Sequence, residues 1–417
     1  MTQPPILIIG GGIVGLTLAQ SLQKSHIPYL LFERDTSSSH PHHGWGLTIH
    51  WALQSFESCL PSQIFARLQG IQVDPQQALN DTGRFLFLDL ATAEPKYVIP
   101  PSKRLRIHRR KLRELLTEGI SINWNKNLRA ITQSDGSIVA HFEDGSTAKG
   151  ALLIGADGSS SQTRRLLFAG SLDPDASKLN QLPVSFMGVT VRLSPSQAQI
   201  LRDIDPLLFQ GSHPETGVYL WYSTLSTPEG NGSAGKGSDE FYEGQLMMSW
   251  LVKTAYDGVP STSGERVAKM KEMSHGFEER LRNAIANIPD DSEVLEIKLK
   301  DWPPPKWDNM SGQLTLVGDA AHAMTMYRGE AFNHGIMDAA QFSKRIAEAY
   351  KGAGEYDRDA LREAVDTYEE EMRGRTHSAV LLNRQACLDA HDIKRLGPDS
   401  PLISRRVRVT KPGQSAG

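Results

Sequence analysis

Apolar residues along this chain follow three successive patterns. The N-terminal stretch "ILIIGGGIVGLTLAQSLQKSHIPYLLFERD" opens with an unbroken apolar run, Ile6 to Ile9, and passes through glycines into helical spacing. It ends in a second run, Tyr29 to Phe32, closed by Glu33. Such runs around a helical period predict a strand–helix–strand unit. Further on, "SINWNKNLRAITQSDGSIVAHFEDGSTAKGALLIGADGSSSQTRR" predicts short strands joined by Asp-Gly turns at Asp135-Gly136 and Asp144-Gly145. In the middle, "VSFMGVTVRL" (184–193), "GVYLWYST" (217–224) and "QLMMSWLV" (245–252) alternate as strands of a sheet covered on one side do. After Asp357, the residues Leu361, Val365, Tyr368 and Met372 recur at i, i+4, i+7 and i+11, one buried face of a helix. The order of these patterns predicts an α/β fold.

Composition narrows the function only by exclusion. With 417 residues, 39% hydrophobic and 22% charged, the chain has the make-up of a soluble globular protein of one large domain or two. A net charge of -3 gives no reason to expect nucleic acid or an anionic membrane as partner. Two cysteines, Cys59 and Cys387, support neither a disulfide framework nor a metal site, which suggests a reducing compartment. The opening "MTQPPILIIGGG" reaches a strand at once, leaving no room for a leader peptide, and no apolar run approaches the ~20 residues that span a bilayer. The expected location is cytoplasmic. The run "HPHH" (His40 to His43) lacks a carboxylate or cysteine partner set and is read as a loop, with no metal expected.

The glycines of the first unit carry chemistry. Gly10, Gly12 and Gly15 fit G-x-G-x-x-G, in which the first permits a tight turn, the second admits a pyrophosphate and the third lets helix and strand pack closely. The following helix N terminus offers free N–H groups to phosphate. Glu33, eighteen residues after Gly15, can accept both ribose hydroxyls and would repel a 2′-phosphate, favouring FAD or NAD over NADP at this site.

Three further motifs carry a resemblance. Asp157-Gly158-x-x-Ser161-x-x-Arg164, the segment "GDAAHAMTMYRGEAFNHGIMDAA" (318–340) and Arg109, Leu112 and Leu115 in "RIHRRKLRELL" stand in this order along the chain. Together they resemble the class A flavin-dependent monooxygenases of the para-hydroxybenzoate-hydroxylase type, in particular the fungal natural-product branch. The resemblance implies FAD as cofactor and a Rossmann-type FAD-binding domain with an interleaved substrate-binding β-sheet domain and a C-terminal helical region. It implies that Asp319 bonds a ribityl hydroxyl, that Arg109 meets the phosphate–ribitol region, and that Gly46 lets backbone pass close to the cofactor. Asp157 and Arg164 are carried over as supports for the flavin-domain turn and for nicotinamide docking. The turn Gly329, Ala331, Phe332 and Asn333 would aim its amides at the flavin pyrimidine edge, where a helix N terminus stabilises negative charge. Ala331 stands where the family has its second glycine, and Met326 where proline is common. An alanine there loses little at negative φ and on the order of 1 kcal/mol at positive φ. His322 is read as structural.

The linear division expected is 1–180 and 301–345 for the FAD-binding domain, 181–300 for the substrate sheet, and 346–417 for C-terminal helices and tail. No second glycine motif lies between Asp157 and Asp319, so NADPH or NADH would dock transiently as co-substrate. Oxygen activated by a flavin is electrophilic, so an aromatic or polyketide-derived substrate would react best with an ionised oxygen. Arg192 and Tyr222 are the catalytic candidates for steering that oxygen, with His50, Trp51, His213 and Trp221 as weaker pocket candidates. The Gly/Ser-rich stretch 226–244 is read as a mobile surface loop. The reading is thus an FAD-dependent monooxygenase using NAD(P)H and O₂. The alternatives are an FAD oxidase or dehydrogenase that inserts no oxygen, or a redox-silent flavoprotein scaffold.

Overall fold

The run Ile6–Ile9 is the middle strand of a five-stranded parallel sheet in the computed structural model, which describes residues 4–36, 44–134, 136–351 and 355–406. The strand order is Leu314–Leu316, Leu152–Gly155, Ile6–Ile9, Tyr29–Phe32, Ile122–Asn123. Ile6, Leu7 and Ile8 have no exposed surface, because the sheet is covered by helix Ile13–Lys24 and by a three-stranded antiparallel sheet whose Phe142 packs on Phe32 at 4.7 Å between ring centroids. A strand read as sequence near position 315 therefore lies beside one near 153. The chain leaves this sheet and returns to it to complete the first unit.

What it builds in the interval is a seven-stranded sheet, ordered Leu295–Glu296, Val184–Leu193, Tyr242–Leu251, Tyr219–Ser226, Leu208–Ser212, Phe85–Asp89, Pro95–Ile99. The three predicted middle strands are present and antiparallel. This sheet extends beyond residues 181–300. Phe85–Asp89 and Pro95–Ile99, from inside 1–180, form its far edge, joined through a parallel pairing of Phe209 with Leu86. That pairing is between residues more than a hundred positions apart, which local pattern does not encode. One face of this sheet is sealed by a core containing Leu246, Met248 and Leu220 under the helices Pro195–Arg202, Ser263–Met273 and Glu279–Ala286.

The helix Arg358–Asp389 runs for 32 residues, about 48 Å at 1.5 Å per residue. Leu361, Val365, Tyr368 and Met372 are buried against the first unit, while Ala386 and Cys387 join the cluster in front of the second sheet. The stretch 226–244 is braced rather than loose. It holds the short helix Pro228–Asn231, Asn231 Nδ2 donates to the Phe241 carbonyl at 2.8 Å, and Lys111 donates to the Gly230 carbonyl at 2.7 Å. No helix among the described residues is long and apolar enough to cross a membrane.

Candidate functional site

The glycine turn behaves as its residue types require. Gly10 has φ +113°, and a Cβ there would come within 2.4 Å of the Ala156 carbonyl oxygen. A Cβ on Gly15 would stand 2.0 Å from the Gly10 carbonyl oxygen, so helix Ile13–Lys24 packs on its strand only through glycine. Gly12 differs: a Cβ would meet no atom within 4 Å, and as N-cap it leaves the helix amides without a side-chain cap. That is an open cradle at a positive helix end, fitted to pyrophosphate. Glu33, largely buried, accepts the Gly11 N–H at 2.7 Å and the Asp35 N–H at 3.1 Å, so it also fixes the turn.

A cavity of about 620 Å³ is lined by both units. The first unit contributes Gly46, Arg109, Asp319, Gly329, Ala331 and Phe332. The seven-stranded sheet contributes Phe186, Tyr219, Trp221, Gln245 and Met247. Gln245 couples the two units: its Oε1 accepts the Gly46 N–H at 3.1 Å and its Nε2 donates to the Gly44 carbonyl at 3.0 Å. Gly10, Gly12, Gly15 and Glu33 lie outside this lining. Arg113 bridges the two regions by donating to the Gly11 carbonyl from the helix that begins at Arg109.

Asp319 lies three residues beyond the end of strand Leu314–Leu316 and opens a four-residue helix. Its carboxylate is accessible through the cavity, and no hydrogen bond holds it among the described residues. It is nonetheless enclosed by protein, which raises its pKa, while His322, Arg109 and Arg164 pull it back down. Gly318 caps that helix without a side-chain bond, so capping is not the role of Asp319. Burial lowers the Arg109 pKa, with Arg113 adding to the shift and Asp319 opposing it.

Ala331 is the first residue of helix Ala331–Ala349 and is absent from the positive-φ residues, so the missing glycine introduces no strain there. The preceding turn residue, Gly329, carries the positive φ of 64° instead. No side chain caps this helix, and its first amides are free. Asn333 does not line the cavity. It clamps the turn to strand Gly46–Ile49, accepting the His50 N–H at 3.0 Å and donating to the Thr48 carbonyl at 3.0 Å. Behind the turn, Asp338 accepts from the Gly318 N–H at 2.7 Å and from Arg375 at 2.6 Å, and meets His322 at 2.6 Å. His322 is thus tied into a buried network.

Asp157 ties its turn together, accepting from Ser161 Oγ at 2.5 Å and the Thr163 N–H at 2.9 Å. Arg164 is buried. Its guanidinium donates to the carbonyls of Ser159, Ser177 and Ala320 and so braces these segments together.

Neither catalytic candidate lines the cavity. Arg192 is exposed outside the cavity, its guanidinium 4.5 Å from the Phe241 ring centroid. It shares the side of its strand with Phe186 but lies six residues further on, about 20 Å at ~3.3 Å per residue. Tyr222 is buried on the opposite face, packed on Phe209 at 5.1 Å between centroids. Alternation turns Trp221 and Tyr219 to the cavity and Tyr222 away from it. Of the weaker candidates only Trp221 lines the cavity. His213 meets the Gly276 carbonyl, Trp51 packs on His334, and His50 is buried beside Asn333. The run His40 to His43 lies outside the described residues. Missed by the sequence reading were Gln245, Tyr219, Met247 and Arg106, the last standing only three residues before the recognised Arg109.

The chain matches the family described as FAD binding domain over residues 3–198 and 278–382. It is 48% identical to the FAD-dependent monooxygenase dbaB of Emericella nidulans across 99% of this chain and 95% of the relative. It is 34% identical to the FAD-dependent monooxygenase tazP of Aspergillus terreus across 82% and 89%. Its fold superposes on 2,6-dihydroxypyridine-3-hydroxylase from Arthrobacter nicotinovorans with a TM-score of 0.74, at 16% identity, covering 99% of this chain and 100% of that one.

Proposed function

This chain belongs to the FAD-dependent monooxygenases, and on that premise we propose that it hydroxylates a small aromatic or polyketide-derived substrate with electrons from NADPH or NADH. The overall change is balanced: substrate C–H, O₂, NAD(P)H and a proton give substrate C–OH, water and NAD(P)⁺. One observation carries the reading. A single cavity is lined at once by residues matching the family's cofactor motifs and by an aromatic-rich sheet wall of Tyr219, Trp221 and Phe186. Bound FAD supplies the electron transfer that lets O₂ react with a closed-shell substrate.

The protein's own residues would hold and orient. The open cradle at Gly12 takes the pyrophosphate, Glu33 the ribose and Asp319 a polyol hydroxyl. The uncapped N terminus of Ala331–Ala349 stabilises negative charge placed over it. The aromatic wall stacks a planar substrate and excludes water. The resemblance of the sequence motifs to the fungal natural-product branch supports such a substrate, and the proposal includes a cytoplasmic setting in which NAD(P)H is available.

The test is substrate-stimulated NAD(P)H oxidation over a panel of phenols and polyketides, with product mass recorded. A product heavier by one oxygen atom supports the proposal. Substrate-dependent hydrogen peroxide with a dehydrogenated product would establish an oxidase instead.

A further inference from the structure

Arg106 occupies a place that structure alone leaves without a reason. It sits on strand Leu105–His108, is only 5% exposed, and still lines the cavity. Its Nη1 donates to Thr48 Oγ1 at 2.9 Å and its Nη2 to Ser223 Oγ at 2.8 Å, while its Nε has no partner. Both acceptors are neutral hydroxyls, and no carboxylate pairs with it among the described residues. A buried cation without a counter-ion costs several kcal/mol, so such a group is normally paired or turned out to solvent. Here the fold makes room for it: a Cβ on Gly46 would fall 2.5 Å from Nη2. The guanidinium also lies 5.8 Å from the Trp221 ring centroid, beside the wall a planar substrate would stack on.

We infer that Arg106 is the anion-binding residue of the substrate site and selects the ionised form of an aromatic substrate through a phenolate-type oxygen. The inference rests on the aromatic-substrate reading above. A planar fork oriented by Thr48 and Ser223 and desolvated by its surroundings binds such an oxygen more strongly than an exposed group can. The other charged or titratable side chains lining the cavity are Arg109, Lys298, Lys300, Asp319 and Tyr219. Asp319, the one acid among them, acts on Arg109. Burial and neighbouring Arg104 push the Arg106 guanidinium down to about 9, which leaves it charged at neutral pH.

Two small probes test this by binding alone, so the outcome does not depend on oxygen insertion or on the nicotinamide. They are para-hydroxybenzaldehyde, whose phenol ionises near neutral pH, and para-methoxybenzaldehyde, which cannot ionise. Each is titrated into the FAD-loaded protein across that pH range and followed by perturbation of the flavin absorbance. The wild type should bind the phenol more tightly as it ionises and the ether weakly at every pH. Arg106→Met should weaken phenol binding at least about tenfold, abolish its pH dependence and leave the ether unchanged. Arg106→Lys, which keeps a charge, should retain the pH dependence with lower affinity. It decides the matter should the Met variant lose its FAD. Phenol binding by the wild type that ignores pH, or an unchanged pH profile in Arg106→Met, overturns the assignment. If the pH profile holds but no substrate is ever oxygenated, the anion site stands and the hydroxylation proposal falls.

Discussion

At the scale of the residue, the cavity separates two arginines that look alike in sequence. Arg192 is exposed and makes a cation–π contact worth roughly 0.5–1 kcal/mol, so Arg192→Met should change stability by no more than that and leave product formed per NAD(P)H consumed at the wild-type value. A drop in this coupling ratio would return Arg192 to the site. Asp319 is the opposite case, a carboxylate facing the cavity with no hydrogen bond among the described residues. Asp319→Ala should cost about 1–3 kcal/mol of FAD affinity with little change in apo-protein melting, read as FAD lost during gel filtration. Early melting with FAD retained would make the residue structural.

At the scale of the element, the strand–glycine–helix unit is a packing device before it is a binding site. Helix Ile13–Lys24 approaches its strand so closely that even a methyl group at position 15 would overlap the Gly10 carbonyl. Gly15→Ala should therefore displace the helix, costing about 1–3 kcal/mol as overpacking does, and should lower FAD occupancy at the same time. Thermal melting with and without added FAD separates the two effects. Wild-type behaviour in both would mean the turn relaxes freely. At the other helix, Ala331 lies in a helical first position, so the turn keeps its amides without glycine there. Its register is held from the side, by Asn333 bridging to strand Gly46–Ile49.

At the scale of the whole molecule, long-range burial sets the response to acid. Burial pushes His391 down to about 4 and His50 down to about 3, and lowers His334 far below its ordinary value. Folded pKa values below the unfolded one mean that the unfolded chain binds protons the folded chain refuses. The stabilisation is complete above about pH 6.5 and is lost as pH falls toward the folded values, by about 1.4 kcal/mol per pH unit for each fully buried imidazole. Melting temperature should drop steeply between about pH 6.5 and 4. His391→Gln, which can still bond Ser249, should flatten that slope. An equal slope in the variant would assign the acid sensitivity to other groups.

Much of this protein was legible in one dimension. Period and glycine spacing determined the strand–helix–strand unit, because a two-residue pleat and a close turn are properties of neighbouring residues. The motifs around Asp157, Asp319 and Arg109 carried the flavin family, since each is a local turn or helix start. The three middle strands were readable from alternation, and so was the buried face of helix Arg358–Asp389. Alternation states which residues share a face of a strand. It does not state which face meets the cavity or how far along the strand the cavity extends. For that reason Tyr222 was placed in the site when it belongs to the core behind it, and Arg192 when it lies beyond it. The recruitment of residues 85–99 to the second sheet, the Gln245 bridge and the unpaired charge of Arg106 depend on chain segments brought together across a hundred residues or more. Only the folded packing fixes which of them meet, because burial and the absence of a partner are properties of the whole surroundings rather than of any stretch of sequence.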